Sequence, residues 1–91
     1  MLQIVFTNKF KQDIKLMQRR GYEMTLLKEV IVSLAESGTL PQKFKPHRLT
    51  GNLIGFYEAH IKPDWLIIWS ISMDENEVWL TRTGSHSDLF K

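Results

Sequence analysis

The chain has ninety-one residues, 43% of them hydrophobic and 24% charged, with three Trp, five Phe and two Tyr; that suits one packed domain over residues 1–91 and excludes a disordered or low-complexity segment. It has no cysteine, which rules out a disulfide framework, a thiolate-bound zinc or iron–sulfur centre and a thiol nucleophile. The net charge is only +2, yet residues 1–48 hold nine Lys/Arg against four Asp/Glu and residues 49–91 three against six, so the basic half suits an acidic partner, either nucleic acid or protein.

In chain order, Leu2 to Phe6 reads as a short apolar strand. Thr7 caps a helix running to about Arg20, whose apolar stripe is Phe10, Ile14 and Met17, with Lys9, Lys11, Lys15 and Arg19 mostly off it. Gly21, after Arg19-Arg20, suits a left-handed stop. A second helix covers Glu23 to Ser37, buries Leu26, Leu27, Val30, Ile31 and Leu34, and ends at Gly38 ahead of Pro41. So short a connection predicts an antiparallel helical hairpin. Thr39 to Leu53 has no periodicity and reads as a long loop holding Lys43, Lys45, His47 and Arg48, the kind of segment that carries function.

Strands are expected at Ile54–Ile61, Trp65–Ser72 and Glu77–Thr83, joined by turns at Lys62-Pro63-Asp64 and Met73–Asn76, with a short tail from Ser85 to Lys91. The apolar Trp65 strand belongs in the centre of the sheet. The order β-α-α-β-β-β predicts an α+β fold, a helical hairpin packed on a mostly antiparallel four-stranded sheet. The longest apolar run, Trp65 to Trp69, is too short to span a bilayer. Residues 1–6 lack the basic flank and long apolar region of a secretion signal, so the cytoplasm is the expected compartment and no membrane partner is expected.

In a meander, the ends of the His60 and Arg82 strands and the start of the Trp65 strand share one sheet edge. His60, Asp64, Arg82, His86 and the loop residue His47 can therefore converge there. Singly, each has a plain reading: a surface histidine, a turn-forming aspartate, an arginine paired with a nearby glutamate. Trp65 and Trp69 read as core; Phe90 either anchors the tail or offers a stacking surface. Three His and one Asp are zinc-ligand types, but no His-x-x-x-His or His-Glu-x-x-His spacing occurs. Together the set fits RNA cleavage by internal transesterification, in which a base takes the ribose 2′-OH proton, a cation stabilises the phosphorane, and an acid protonates the departing 5′-oxygen. The substrate brings its own nucleophile, so the reaction calls for no metal or cofactor.

Three segments carry a resemblance: Lys45-Pro46-His47-Arg48-Leu49-Thr50-Gly51, Ala59-His60-Ile61-Lys62-Pro63-Asp64-Trp65, and Arg82-Thr83-Gly84-Ser85-His86-Ser87-Asp88-Leu89-Phe90. Their order and spacing resemble those of YafQ-type toxins, within the RelE/ParE superfamily of type II toxin–antitoxin systems, over essentially the whole chain. The resemblance implies an mRNA interferase acting on mRNA at the ribosome and silenced by a cognate antitoxin. It implies His86 as general acid, Arg82 as phosphorane stabiliser, and His47, His60 and Asp64 as the remaining proton-transfer and orienting set, the base being one of the three. Lys45, Trp65 and Phe90 fall at positions that shape or contact the substrate. Where the family often has aromatic-Arg-acid, this chain has Phe56-Tyr57-Glu58, which removes a phosphate contact and leaves Tyr57 free to stack on a base. Two other readings share parts of the pattern. A ParE-like toxin acting on DNA gyrase needs none of the histidines, and a non-catalytic RNA-binding module needs the basic loop but not His86.

Overall fold

Strand β1 (Gln3–Phe6) leads directly into helix α1 (Asn8–Arg19), where the Thr7 hydroxyl accepts the Phe10 amide and is itself anchored on the Leu80 carbonyl. These elements come from a computed structural model that describes residues 1–90; the expected end of the tail, Lys91, lies outside the described residues. Gly21 takes the left-handed conformation (φ 81°) that turns the chain into α2 (Met24–Ser37), and Gly38 does the same at the far end (φ 77°). Two 3₁₀ turns, Gln42–Phe44 and Gly51–Leu53, bracket a two-residue strand β2 (His47–Arg48). Strands β3 (Tyr57–Lys62), β4 (Trp65–Ser72) and β5 (Glu77–Gly84) follow, then a single helical turn α3 (His86–Leu89).

The sheet has five strands in the order β1-β5-β4-β3-β2, antiparallel throughout except for the parallel β1–β5 pair. The α+β class and the central place of β4 are as expected. The expected count of four strands is corrected to five, because β2 pairs only two residues and leaves no period to read. The expected strand from Ile54 begins instead at Tyr57, since the 3₁₀ turn and the positive φ of Gly55 occupy the preceding residues.

Both helices supply one core. Phe10 and Met17 of α1, and Leu27, Val30 and Leu34 of α2, pack with Ala59, Ile67, Trp69, Val78 and Leu80 on one face of the sheet. The other face is set by register, since directly opposed residues point the same way. Glu58 lies opposite Ile68 and Ile68 opposite Arg82; one row along, His60 lies opposite Leu66 and Leu66 opposite Gly84. Glu58, His60 and Arg82 thus stand on the face turned away from the helices.

One irregularity puts Arg82 there. Trp69 pairs with Leu80 while Ile68 pairs with Arg82, so Thr81 is an extra residue bulged out of β5. In an unbroken strand Arg82 would share the core face with Val78 and Leu80. The bulge exchanges it with Thr83, which is fully buried. Among the described residues, no helix is long and apolar enough to cross a membrane.

Candidate active site

Three imidazoles lie in a row along this open face. The His47 and His60 ring centroids are 6.4 Å apart and those of His60 and His86 are 6.0 Å apart. Each ring comes from a different element, and each is oriented by a different acceptor.

His86 begins α3, and Asp64 of the β3–β4 turn holds it twice. The backbone N–H donates to Asp64 Oδ1 at 2.9 Å, and Nδ1–H donates to the same oxygen at 2.6 Å. These two bonds, the backbone one foremost, keep the Asp64 carboxyl below its ordinary value, so it is the charged acceptor at neutral pH. Nδ1 is thereby fixed as the donor and Nε2 is left as the nitrogen that exchanges a proton with a substrate. The side chain is 55% exposed, open to a ligand and contributing little to the core.

The turn under His86 is braced from below. Ser85 and Asp88 form a capping box, and both Asp88 oxygens accept the Arg20 guanidinium at 2.7 and 3.1 Å. Arg20, and next the Ser85 amide, hold the Asp88 carboxyl down to about 2. Gly84 is required by close approach: a Cβ there would sit 3.0 Å from Asp88 Cβ and Oδ2.

His60 Nδ1–H points to the Pro63 carbonyl at 3.4 Å, a long contact that still favours the tautomer with a lone pair on Nε2. His47 differs. Its Nδ1 faces the Lys45 carbonyl at 3.1 Å and its Nε2 faces Glu58 Oε1 at 3.2 Å. Both partners are acceptors, so only a ring carrying two protons makes both contacts.

Arg82 is on the same face but is drawn toward the β5 edge. Its Nε and Nη2 donate to Asp13 Oδ2 and Oδ1 at 2.8 and 3.2 Å, and Asp13 also accepts the buried Thr83 amide at 3.1 Å. The expected pairing with a nearby glutamate is therefore replaced by a bidentate pair with a helix residue, which leaves three guanidinium hydrogens free. Asp13 was not anticipated, although the sequence carries its signal. It falls between Phe10, Ile14 and Met17 on the apolar stripe of α1, where a carboxylate requires a partner.

Trp65, expected among the residues that shape or contact the substrate, is only 2% exposed but lines the cleft beside Asp64. Its indole N–H donates to Thr83 Oγ1 at 2.9 Å and its ring meets Tyr22 edge-on at 5.0 Å, which fixes the cleft wall against the core. Tyr57 is stacked on Trp69 at 5.7 Å, with the Arg48 guanidinium 5.9 Å from its ring, and is partly buried at a cleft it lines with Arg48 and Ile54. Lys45 is exposed beside His60, and Phe90 is exposed at the end of α3. Among the described residues, no three His, Asp or Glu side chains converge closely enough to hold a metal ion.

The family model described as "Bacterial toxin of type II toxin-antitoxin system, YafQ" matches residues 2–91. The mRNA interferase toxin YafQ of Escherichia coli K12 is 33% identical over 88 residues, 96% of this chain and 94% of that protein. The fold is similar to that of the E. coli DinJ–YafQ complex, with a TM-score of 0.89 and 32% identity over all of both chains. It is also similar to a metal-bound toxin from Helicobacter pylori, with a TM-score of 0.91 and 42% identity over 99% of this chain and all of the other.

Proposed function

The chain belongs to the YafQ family of type II toxin–antitoxin toxins, and on that premise we propose that it is an endoribonuclease, an mRNA interferase, that cuts mRNA on the ribosome by attack of a ribose 2′-oxygen on the adjacent phosphorus. The observation that carries this reading is the row of three imidazoles on the open sheet face, one end of it backed by an ionised aspartate.

The hydrogen bonds divide the roles. His60, with its lone pair on Nε2, takes the 2′-OH proton as general base. His47, engaged through both ring nitrogens with the Lys45 carbonyl and Glu58, is less free to take that proton and serves to position the phosphate. Arg82, its fork fixed by Asp13, directs its remaining N–H groups at the non-bridging oxygens. His86 Nε2 gives its proton to the departing 5′-oxygen, while Asp64 stabilises the charged ring through Nδ1. The bond formed is 2′-O to phosphorus and the bond broken is phosphorus to 5′-O, leaving a 2′,3′-cyclic phosphate and a 5′-hydroxyl. A cognate antitoxin holds the toxin silent, as an acidic segment ordering on this basic domain would.

The test is a defined RNA incubated with the protein, with and without ribosomes, followed by mapping of the cleaved ends. Cyclic phosphate ends, lost when the scissile ribose is replaced by deoxyribose, are the expected result. Cleavage that survives the deoxy substitution would refute the mechanism.

A further inference from the structure

Two clefts adjoin the site, one lined by His60 and the other by Asp64, and their linings differ in charge. The first, about 280 Å³, is lined by Lys43, Lys45, His60, Ile61, Lys62 and Pro63. Its lining holds three ammonium groups and no carboxylate; Lys43 also stands 3.9 Å from Glu29. The second, about 510 Å³, is lined by Gly21, Tyr22, Glu23, Lys62, Asp64 and Trp65. It sets two carboxylates against one ammonium. A phosphate is drawn to the first and repelled from the second.

The second cleft has the features of a site for an uncharged aromatic ligand. Tyr22 and Trp65 meet edge-to-face at its wall. Glu23 precedes α2 without making a side-chain capping bond, so its carboxylate is free to accept N–H donors from a base edge. The volume lies within the roughly 300–1,000 Å³ typical of small-ligand sites.

Position supplies the direction. Asp64 lines the second cleft and holds His86, while His60 lines the first. Resting on the nuclease reading above, in which His86 protonates the leaving oxygen, we infer that the cleft bounded by Tyr22, Glu23 and Trp65 receives the nucleoside on the 3′ side of the scissile phosphate. The upstream phosphates lie on the lysine cleft. The strand then runs 5′ to 3′ from Lys45 toward Tyr22, and Tyr22 and Glu23 set selectivity for the departing base.

The experiment is a titration of the isotope-labelled protein, followed by NMR, with two uncleavable ligands: deoxyuridylyl-3′,5′-guanosine and deoxyuridine 3′-phosphate. Both should move the His60 and His86 signals. Only the dinucleotide should move the Gly21, Tyr22 and Glu23 amides and the Trp65 indole. Tyr22→Ala should weaken the dinucleotide about tenfold or more, the usual worth of a stacking contact, and the mononucleotide less than about twofold. Should Tyr22→Ala fail to fold, Glu23→Gln at an exposed position carries the same comparison, with a severalfold selective loss expected. Histidine shifts without any response around Tyr22, or equal losses for both ligands, would overturn the inference and leave the nuclease reading standing. Histidines unmoved by either ligand would overturn both.

Discussion

Asp13→Ala tests the sheet-edge arrangement most directly, because one buried carboxylate serves three donors. Asp13 is 7% exposed and accepts Arg82 Nε, Arg82 Nη2 and the Thr83 amide. Removing it leaves the Thr83 N–H buried without a partner, which costs about 1–3 kcal/mol. It also strips two charge-assisted bonds from a guanidinium that is 28% exposed and so partly rescued by water. The combined loss is about 2–4 kcal/mol, discounted for that exposure. For a domain of this size that lowers Tm by about 10–25 °C. Asp13→Asn keeps one acceptor oxygen but turns an NH₂ toward the arginine fork, so it should cost about half as much. Urea unfolding of both variants measures the stability loss. Cleavage of a defined RNA, at a temperature where each variant is folded, measures whether Arg82 has lost its aim, with a fall of about 10–100-fold expected. If Asp13→Ala lies within about 0.5 kcal/mol of the parent, the three-donor account is wrong. If stability falls but folded-state cleavage does not, Asp13 is structural only.

Three further outcomes follow from the site. His86→Gln should leave Tm nearly unchanged, since the ring is more than half exposed, yet lower the cleavage rate about 10²–10⁴-fold; a substrate with a 5′-bridging sulfur should restore much of that rate, and no restoration would remove His86 as the acid. Asp88 has a folded value of about 2 against an ordinary 3.8, so the stability it contributes is present above about pH 4 and is lost as pH falls through 2; Asp88→Asn should flatten that part of an acid-unfolding curve, and an unchanged curve would contradict the Arg20 clamp. Gly84→Ala should press on the Asp88 carboxyl, destabilise α3 and lower activity together, read by thermal unfolding beside the RNA assay; a fully active, equally stable variant would refute the close-approach argument.

What the sequence determined by itself is local. The Thr7 cap, the glycine stops at 21 and 38, and the bounds of α2 and β4 are legible because capping chemistry and periodicity act over a few residues. The gathering of His47, His60, Asp64 and His86 is also legible, since meander connectivity brings those strand ends to one edge whatever the side chains do in detail. Only the tertiary structure decided the rest. Alternation places Arg82 on the core face with Val78 and Leu80, and it is the one-residue bulge at Thr81, imposed by pairing with β4, that turns it outward. Strand β2 exists only because β3 offers it an edge. Likewise Asp13 becomes intelligible once α1 has docked beside the end of β1, where its carboxylate takes the place of a missing strand and satisfies the Thr83 amide across 70 residues of chain. Bulges, edge pairing and buried polar bonds belong to two segments at once, so no single stretch of sequence contains them.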